Sequence, residues 1–394
     1  MLNEPKGFTM SFSKNIALIY DRLNTFGGAE QVLIAFGDVF PRLDLWSAVY
    51  AKKRTSWIPQ SFHVKTGWLG KISWIQTRHS WFPWLMPIVF EDLDLQHYDL
   101  LISVTSEAAK GVIVPPSVPH ICYLLTPTRY LWSHADHYQR ALQKHLGFIW
   151  VLSKPVFRYL QRWDYVAAQR PSFMVAISKR VAERARLYYD REPDAIIYPP
   201  VDTVFFSREK ASEISPLPRP YLLWVGRLVS YKGIRTVVDA MAEFPDLDLL
   251  IIGQGKDEHW LRNKIKQLSR SSQTRVNIHY LGFQSQEFIR DAMAHAKALI
   301  HPTEEDFGIT MIEAAAMGTP VILHEKSGAA EILRKDEHAI YLTTSTVPEI
   351  VQAIQKLESF QPQENSLRQA ALRCDRVKFV MRWKEFVCKT TDMC

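Results

Sequence analysis

The sequence predicts an α/β protein made of two Rossmann-like, doubly wound domains facing across a cleft, and three observations carry that expectation. Short apolar runs alternate with longer amphipathic stretches along the chain, the pattern of parallel strands covered on both faces by helices. The rhythm breaks once, at the proline-rich and charged stretch YPPVDTVFFSREKASEISPLPRP, and then begins again. The chain has 394 residues, too long for one ordinary core.

In chain order, Asn15 to Tyr20 (NIALIY) is the first buried-strand candidate. The loop DRLNTFGGAE follows it, and a helix starts near Glu30. Leu100 to Val104, His120 to Leu125 and Phe173 to Ile177 are likewise apolar enough to be covered on both faces. The first domain is expected over residues 1–200. Prolines at 199, 200, 216, 218 and 220 make residues 201–220 a linker. Strands are then expected at Tyr221 to Val225, Leu247 to Ile252, Val276 to Leu281, Ala298 to His301, Pro320 to Leu323 and Ala339 to Leu342, within a second domain over 221–374. A helix starting near Gly308 joins the strand at Ala298 to the one at Pro320. The last stretch, 375–394, carries Val377, Phe379, Val380, Trp383, Phe386 and Val387 at helical spacing. It is expected to pack back on the first domain.

Composition narrows the class. Hydrophobic residues make up 47% and charged residues 23%, the balance of a folded domain rather than a disordered chain. No stretch approaches the roughly 20 apolar residues that cross a bilayer, and MLNEPKGFTMSFSK lacks the apolar core of a secretory signal. A cytoplasmic location is therefore expected, with Cys122, Cys374, Cys388 and Cys394 as reduced thiols. The net charge is +7, but the basic residues are scattered, which argues against nucleic acid as a partner. Five of the twelve tryptophans (Trp57, Trp68, Trp74, Trp81 and Trp84) fall in one stretch with Lys65, Lys71, Arg78 and His79. Such a mixture suits a membrane interface and equally a Trp-rich core.

Three elements carry chemistry. The first is TEEDFGITMIEAAAMGTP, in which Glu305 and Glu313 stand eight apart. Phe307, Gly308 and Ile309 turn the chain into a helix whose unpaired amides favour an anion such as a diphosphate. Glu305 on the loop and Glu313 inside the helix are placed to accept hydrogen bonds from sugar hydroxyls. The second is the loop Gly226-Arg227-Leu228-Val229-Ser230-Tyr231-Lys232-Gly233, directly after a strand. Arg227 and Lys232 there are suited to two phosphates and to charge developing on a leaving nucleoside diphosphate. The third is Gly27-Gly28, again between a strand and a helix. Acids near a helix start and basic loop residues are often only solvated, but each of these sits at a strand's carboxyl end, where ligands of such sheets bind.

Absences sharpen the reading. No G-x-G-x-x-G follows the first strand and no G-x-x-x-x-G-K-[ST] occurs, which argues against a dehydrogenase and an NTPase. Gly253-Gln254-Gly255 closes a strand without the rest of either fingerprint. The triplets Asp92-Leu93-Asp94 and Asp246-Leu247-Asp248 both precede strands, away from the ligand end, so no metal clamp and no cofactor are expected.

The order and spacing of Gly27-Gly28-Ala29-Glu30, Gly226 to Gly233 and the Glu305-to-Glu313 element resemble glycosyltransferase family 4, the retaining enzymes of GT-B fold. The resemblance spans nearly the whole chain. PIVFEDLDLQHYDLLIS, LTPTRYLW, ARLYYDREPDAIIYPPVD and HPTEEDFGITMIEAAAMGTPVI are similar to a bacterial branch that builds O-antigen and exopolysaccharide units, often by mannosyl transfer. The resemblance implies that Arg227 and Lys232 hold the donor diphosphate. It implies that Glu305 contacts the donor sugar, Glu313 the ribose, and that Phe307, Gly308, Ile309 and Thr310 offer backbone donors. Glu305, Arg227 and Lys232 are the catalytic candidates, Gly27 and Gly28 line the facing side, and Arg129 and Tyr130 shape the acceptor side. The implied reaction moves a hexose, mannose from GDP-mannose, onto a lipid-linked saccharide at the inner membrane face, without a metal. The branch commonly has His before T-P-x-R-Y, and this chain has Leu125. A non-catalytic sugar-nucleotide-binding subunit and a sugar-nucleotide epimerase of the same shape are the alternatives.

Overall fold

The computed structural model describes residues 15–72, 82–147, 151, 153–271 and 277–391. Its packing separates two compact units, one running to Tyr198 and resuming at Phe379, the other spanning Pro199–Lys378.

The first unit is a seven-stranded parallel sheet: β1 (Ile16–Tyr20), β2 (Leu43–Ser47), β3 (Phe62–Thr66), β4 (Leu100–Thr105), β5 (His120–Leu124), β6 (Phe173–Ala176) and β7 (Ala195–Ile196), in the order β3-β2-β1-β4-β5-β6-β7. The wholly buried strands β1, β4 and β5 are the continuous apolar runs of the sequence. β2 alternates buried and half-buried residues, and β3 is mostly half-exposed. Asp44 on β2 is paired with Lys65 of β3 at 2.7 Å. Polar residues on strands that are only partly covered hide them from an apolar-run reading.

The last helix, Arg376–Thr390, buries Phe379, Trp383 and Val387. Trp383 is fully buried, with its ring 4.8 Å from that of Phe36 and 5.2 Å from that of Tyr123. These are edge-on contacts between large apolar surfaces. The final helix thus completes the core of the unit that begins the chain.

The second unit is a six-stranded parallel sheet: β8 (Tyr221–Val225), β9 (Asp248–Ile252), β10 (Ile278–Gly282), β11 (Ala298–His301), β12 (Val321–His324) and β13 (Ala339–Leu342), ordered β10-β9-β8-β11-β12-β13. Val276, where a strand was expected to start, lies outside the described residues. One expectation is corrected: residues 201–220 are not a free linker but part of this unit. Val201 pairs in parallel with Asp375, Phe206 is buried, and the Ser212 amide donates to Asp291. The prolines do interrupt regular structure, yet the apolar residues between them find a core to bury against.

Cys122 and Cys374 are buried and form no disulfide. Among the described residues no helix is long and apolar enough to cross a membrane. Of the Trp-rich stretch, Trp74, Arg78, His79 and Trp81 lie outside the described residues. Trp68 and Trp84 are exposed, and the Trp57 indole donates to the Thr25 carbonyl at 3.1 Å.

Candidate active site

In each sheet the strand order reverses at one place, and the loops leaving the two strands there run in opposite directions and open a crevice at their carboxyl ends. In the second unit that place lies between the neighbours β8 and β11. The loop after β8 is Gly226 to Gly233, and the loop after β11 is Pro302 to Gly308. Two of the three elements singled out in the sequence therefore emerge side by side.

The meeting is direct. Lys232 Nζ lies 2.9 Å from Glu305 Oε1, with the side chains 15% and 12% exposed. His301, the last residue of β11, is fully buried behind them, its Nδ1 3.6 Å from the same Glu305 oxygen. Its ring stacks on Trp224 at 5.6 Å, and Nε2 lies 3.2 Å from the Val225 carbonyl. A carbonyl only accepts, so Nε2 carries the hydrogen, and Nδ1, which makes no hydrogen bond, keeps its lone pair. Burial lowers the His301 pKa to about 4, with nearby Lys232 acting in the same direction and Glu305 opposing it. The imidazole is neutral at pH 7.

The loops are held from behind. Gly226 donates to the Ile252 carbonyl and Leu228 to the Gln254 carbonyl, both at 3.0 Å. A Cβ on Gly253 would stand 1.8 Å from the Gly226 oxygen. Gly253-Gln254-Gly255, which matches no nucleotide fingerprint, is the seat against which the Arg227 loop lies; only glycine permits that approach. The Glu305 loop is pinned by the turn after β12. Ser327 Oγ accepts from the Glu305 amide at 3.2 Å, and the Gly328 amide donates to the Glu305 carbonyl at 3.0 Å. Neither His301 nor Ser327 is singled out by the sequence, which marks Gly253-Gln254-Gly255 only as a strand end that completes no fingerprint. A polar residue closing an apolar strand, as in Ala298-Leu299-Ile300-His301, was the one available signal.

Gly308 caps the helix Ile309–Ala316 with φ 96°, a left-handed conformation that favours glycine, and no side chain caps the helix start. The amides of Ile309 and Thr310 are thus among the first-turn donors without an intrahelical acceptor. Phe307 and Glu313 are each 3% exposed; the Phe307 ring is packed inward and the Glu313 carboxylate shows little of itself to solvent. Arg227 is exposed, and its guanidinium donates to the Tyr231 hydroxyl at 3.2 Å rather than to either acid. The structure therefore brings together Lys232 and Glu305 at the crevice, with Arg227 at its rim.

In the first unit the corresponding reversal lies between β1 and β4. There the Asp21 carboxylate spans the crevice, accepting from the amides of Ser106, Ala108 and Ala109 at 2.7 to 2.9 Å. Gly27 and Gly28 open the helix Gly28–Val39, with Gly27 in extended backbone. The Tyr130 hydroxyl donates to Glu107 Oε1 at 2.9 Å, and Glu107 is paired with Arg22. Burial raises the Tyr130 pKa above its ordinary value. The loop that carries Arg129 and Tyr130 is anchored by buried Asp164, which accepts from Thr128, Trp132, Tyr189 and Lys110. Leu125 is buried. The acidic triplets do lie at the amino ends: Asp248 opens β9 and accepts from His279 at 3.0 Å. Among the described residues no group of three or more His, Cys, Asp or Glu is placed to hold a metal ion.

Residues 206–373 match the family described as glycosyl transferases group 1. Over 144 residues the chain is 26% identical to alpha-D-kanosaminyltransferase of Streptomyces kanamyceticus, covering 35% of this chain and 36% of the relative. It is 29% identical over 173 residues to 2-deoxystreptamine N-acetyl-D-glucosaminyltransferase of Niallia circulans, covering 43% of each. The chain thus spans under half the length of these curated relatives. The fold extends further: HepE of Anabaena, solved in complex with UDP and glucose, superposes with a TM-score of 0.68 over 95% of this chain and all of that one, at 18% identity. A likeness at that identity speaks for the fold alone. The likeness to the glycosyl transferases group 1 is thus carried by residues 206–373, within a chain of two parallel α/β sheets of the GT-B fold.

Proposed function

We propose that the chain is a retaining glycosyltransferase that takes a hexosyl group from a nucleotide sugar. The observation that carries the proposal is the Lys232–Glu305 pair at the carboxyl ends of β8 and β11, beside the uncapped helix start at Ile309. A cation, a carboxylate and unpaired amides at one crevice suit the two halves of a sugar diphosphate.

In this reading the donor diphosphate takes Lys232 Nζ away from Glu305 and lies against the amides of Ile309 and Thr310. Glu305 is then released to accept hydrogen bonds from the sugar hydroxyls. Arg227 swings from Tyr231 to the outer phosphate. The bond between the anomeric carbon and the phosphate oxygen breaks as the acceptor oxygen bonds the same face of that carbon. The acceptor's proton passes to the leaving phosphate, whose growing charge Lys232 and Arg227 stabilise. No metal is assigned to any step. Gly27 and Gly28 contribute bare backbone on the first unit, and Arg129 and Tyr130 the acceptor side. The finer form of the proposal is mannose from GDP-mannose onto a lipid-linked saccharide, supported by the family resemblance of the motifs. The UDP and glucose bound by HepE support a nucleotide-sugar donor more broadly.

The test is release of nucleoside diphosphate from GDP-mannose, UDP-glucose, UDP-N-acetylglucosamine and dTDP-sugars, with a polyprenyl-linked saccharide present, in EDTA. Turnover of one donor, abolished by Lys232→Ala and by Glu305→Ala, is the expected result. No turnover with any donor, with or without added divalent metal, would sink the reading. Turnover only with metal would remove its metal-free part.

A further inference from the structure

One buried polar atom at the crevice lacks a hydrogen bond. His301 is 1% exposed, and its Nδ1 makes no hydrogen bond although Glu305 Oε1 stands only 3.6 Å away. The ring is fixed in that orientation. Its Nε2 is held by the Val225 carbonyl at 3.2 Å, and its plane by the stack on Trp224 at 5.6 Å. A Cβ on Gly226 would stand 3.5 Å from Nε2, so the loop after β8 closes over the ring. With the hydrogen on Nε2, an imidazole lone pair and a carboxylate oxygen face each other, two acceptors with no proton between them. Buried polar groups are ordinarily paired, and an exception of this kind asks what completes it.

Among the described residues, the charged groups that act on His301 are Glu305, on its own loop, and Lys232, from the loop after β8. On the neighbouring strand β12 the one titratable side chain, His324, is committed to the Thr343 carbonyl and the Lys326 amide. Lys232 accounts for the missing proton. Its ammonium lies 2.9 Å from Glu305 Oε1 and neutralises the carboxylate, while its field disfavours a second cation beside it. Removing the ammonium inverts that balance. A largely buried carboxylate would lose its cation, which is costly. The imidazole would keep Glu305, which favours its charged form, and lose Lys232, which opposes it.

We propose that His301 is a positioning residue: as the donor diphosphate draws Lys232 away, Nδ1 takes up a proton from solvent, and the imidazolium becomes the cation that fixes Glu305 for the sugar. The inference rests on the transferase reading of this crevice and adds a proton to it. The proton enters by way of Glu305, whose side chain is 12% exposed. A closure of about 0.8 Å brings Nδ1–H and Oε1 to hydrogen-bond distance. Both ring nitrogens then donate, Nε2 to Val225 and Nδ1 to Glu305, and the carboxylate keeps its other lone pairs for sugar hydroxyls. When the nucleoside diphosphate leaves, Lys232 returns and the proton goes back to solvent, so the cycle consumes none.

The test is titration calorimetry of the full chain with GDP-mannose, UDP-glucose, UDP-N-acetylglucosamine and dTDP-glucose, without acceptor, in PIPES and in imidazole, buffers whose ionisation heats differ. Both phosphates of these donors are esterified, so the ligands themselves exchange no protons near neutral pH. Wild type is expected to take up about half a proton at pH 7, and its Kd to tighten roughly threefold for each unit the pH is lowered. His301→Gln keeps a donor for the Val225 carbonyl and should bind with a heat that no longer depends on buffer. Glu305→Gln leaves the buried ring in place and removes the charge that holds the imidazolium. It should bind donor with the same buffer independence, a second reading that does not depend on how His301→Gln folds. A merely structural His301 would lower the melting temperature and leave proton uptake as in wild type. Buffer-independent binding by wild type, or undiminished uptake in either variant, overturns the inference and leaves the transferase reading standing. Binding of none of the four donors overturns both.

Discussion

Breaking the Lys232–Glu305 pair has consequences that can be worked from its geometry. At 2.9 Å and an effective dielectric constant near 20, the attraction between two unit charges is about 6 kcal/mol. Desolvation of two largely buried groups offsets most of that, leaving a net coupling of about 2 kcal/mol. Lys232→Met, Glu305→Gln and the double variant form a thermodynamic cycle measured by urea unfolding. Each single change should destabilise the protein, and the double variant should be about 2 kcal/mol more stable than the sum of the single effects predicts. The two variants should part company when calorimetry measures UDP and GDP. Lys232→Met loses the cation proposed to grip the diphosphate and should bind at least tenfold more weakly. Glu305→Gln leaves that cation unengaged and should bind nucleotide as well as wild type or better, while losing sugar transfer. A coupling within about 0.5 kcal/mol of zero, or nucleotide affinity that falls equally in both variants, refutes the reasoning.

Gly253→Ala would drive a methyl group into the Gly226 carbonyl, 1.8 Å away; a loss on the order of 3 kcal/mol in thermal denaturation is expected, with weaker nucleotide binding because the Arg227 loop loses its seat. Gly27→Ala should leave the melting temperature unchanged, since the nearest atom to its new methyl would be Glu30 Oε2 at 3.4 Å, yet reduce turnover if ligand approaches that backbone. The His301 pKa is held at about 4 in the folded chain, below the usual 6.5 of an unfolded histidine. The folded form therefore binds fewer protons, and its contribution to stability, full above pH 6.5, falls as pH drops through the window from 6.5 to 4. Between pH 7 and pH 5 the stability gap between wild type and His301→Gln, read by urea unfolding, should shrink by about 2 kcal/mol. Lys110→Met leaves the buried Asp164 without its cation and should cost about 3 kcal/mol, visible as a lower melting temperature.

What was legible in the sequence followed how completely each element is covered. β1, β4, β8 and β11 are buried on both faces, and their apolar runs could be read almost to the residue. β2 and β3 carry Asp44 and Lys65, paired with each other, and a strand whose polar residues are satisfied by a neighbour leaves no apolar run. The two-residue β7 is too short to leave any pattern. At the site, Lys232, Glu305 and Gly308 could be named because glycine and charge at strand ends are local signals. That Lys232 meets Glu305, and that His301 stands behind them, depends on β8 and β11 being neighbours. Such a contact spans some seventy residues of chain, and only the strand order reveals it. The failed linker expectation has the same root: prolines are visible locally, whereas the burial of Val201 and Phe206 is decided by distant residues.

The closing helix sets a constraint on biosynthesis. Trp383 and Phe379 fill space beside Phe36 and Tyr123, so the unit that precedes Pro199 waits for residues made only after the second unit. Until the whole of Pro199–Lys378 has been translated, the nascent first unit exposes the aromatic floor that this helix will cover, and is a natural client for a chaperone. A stop codon just before Phe379 would thus harm the first unit more than the second, whose own residues, Pro199–Lys378, would all be present.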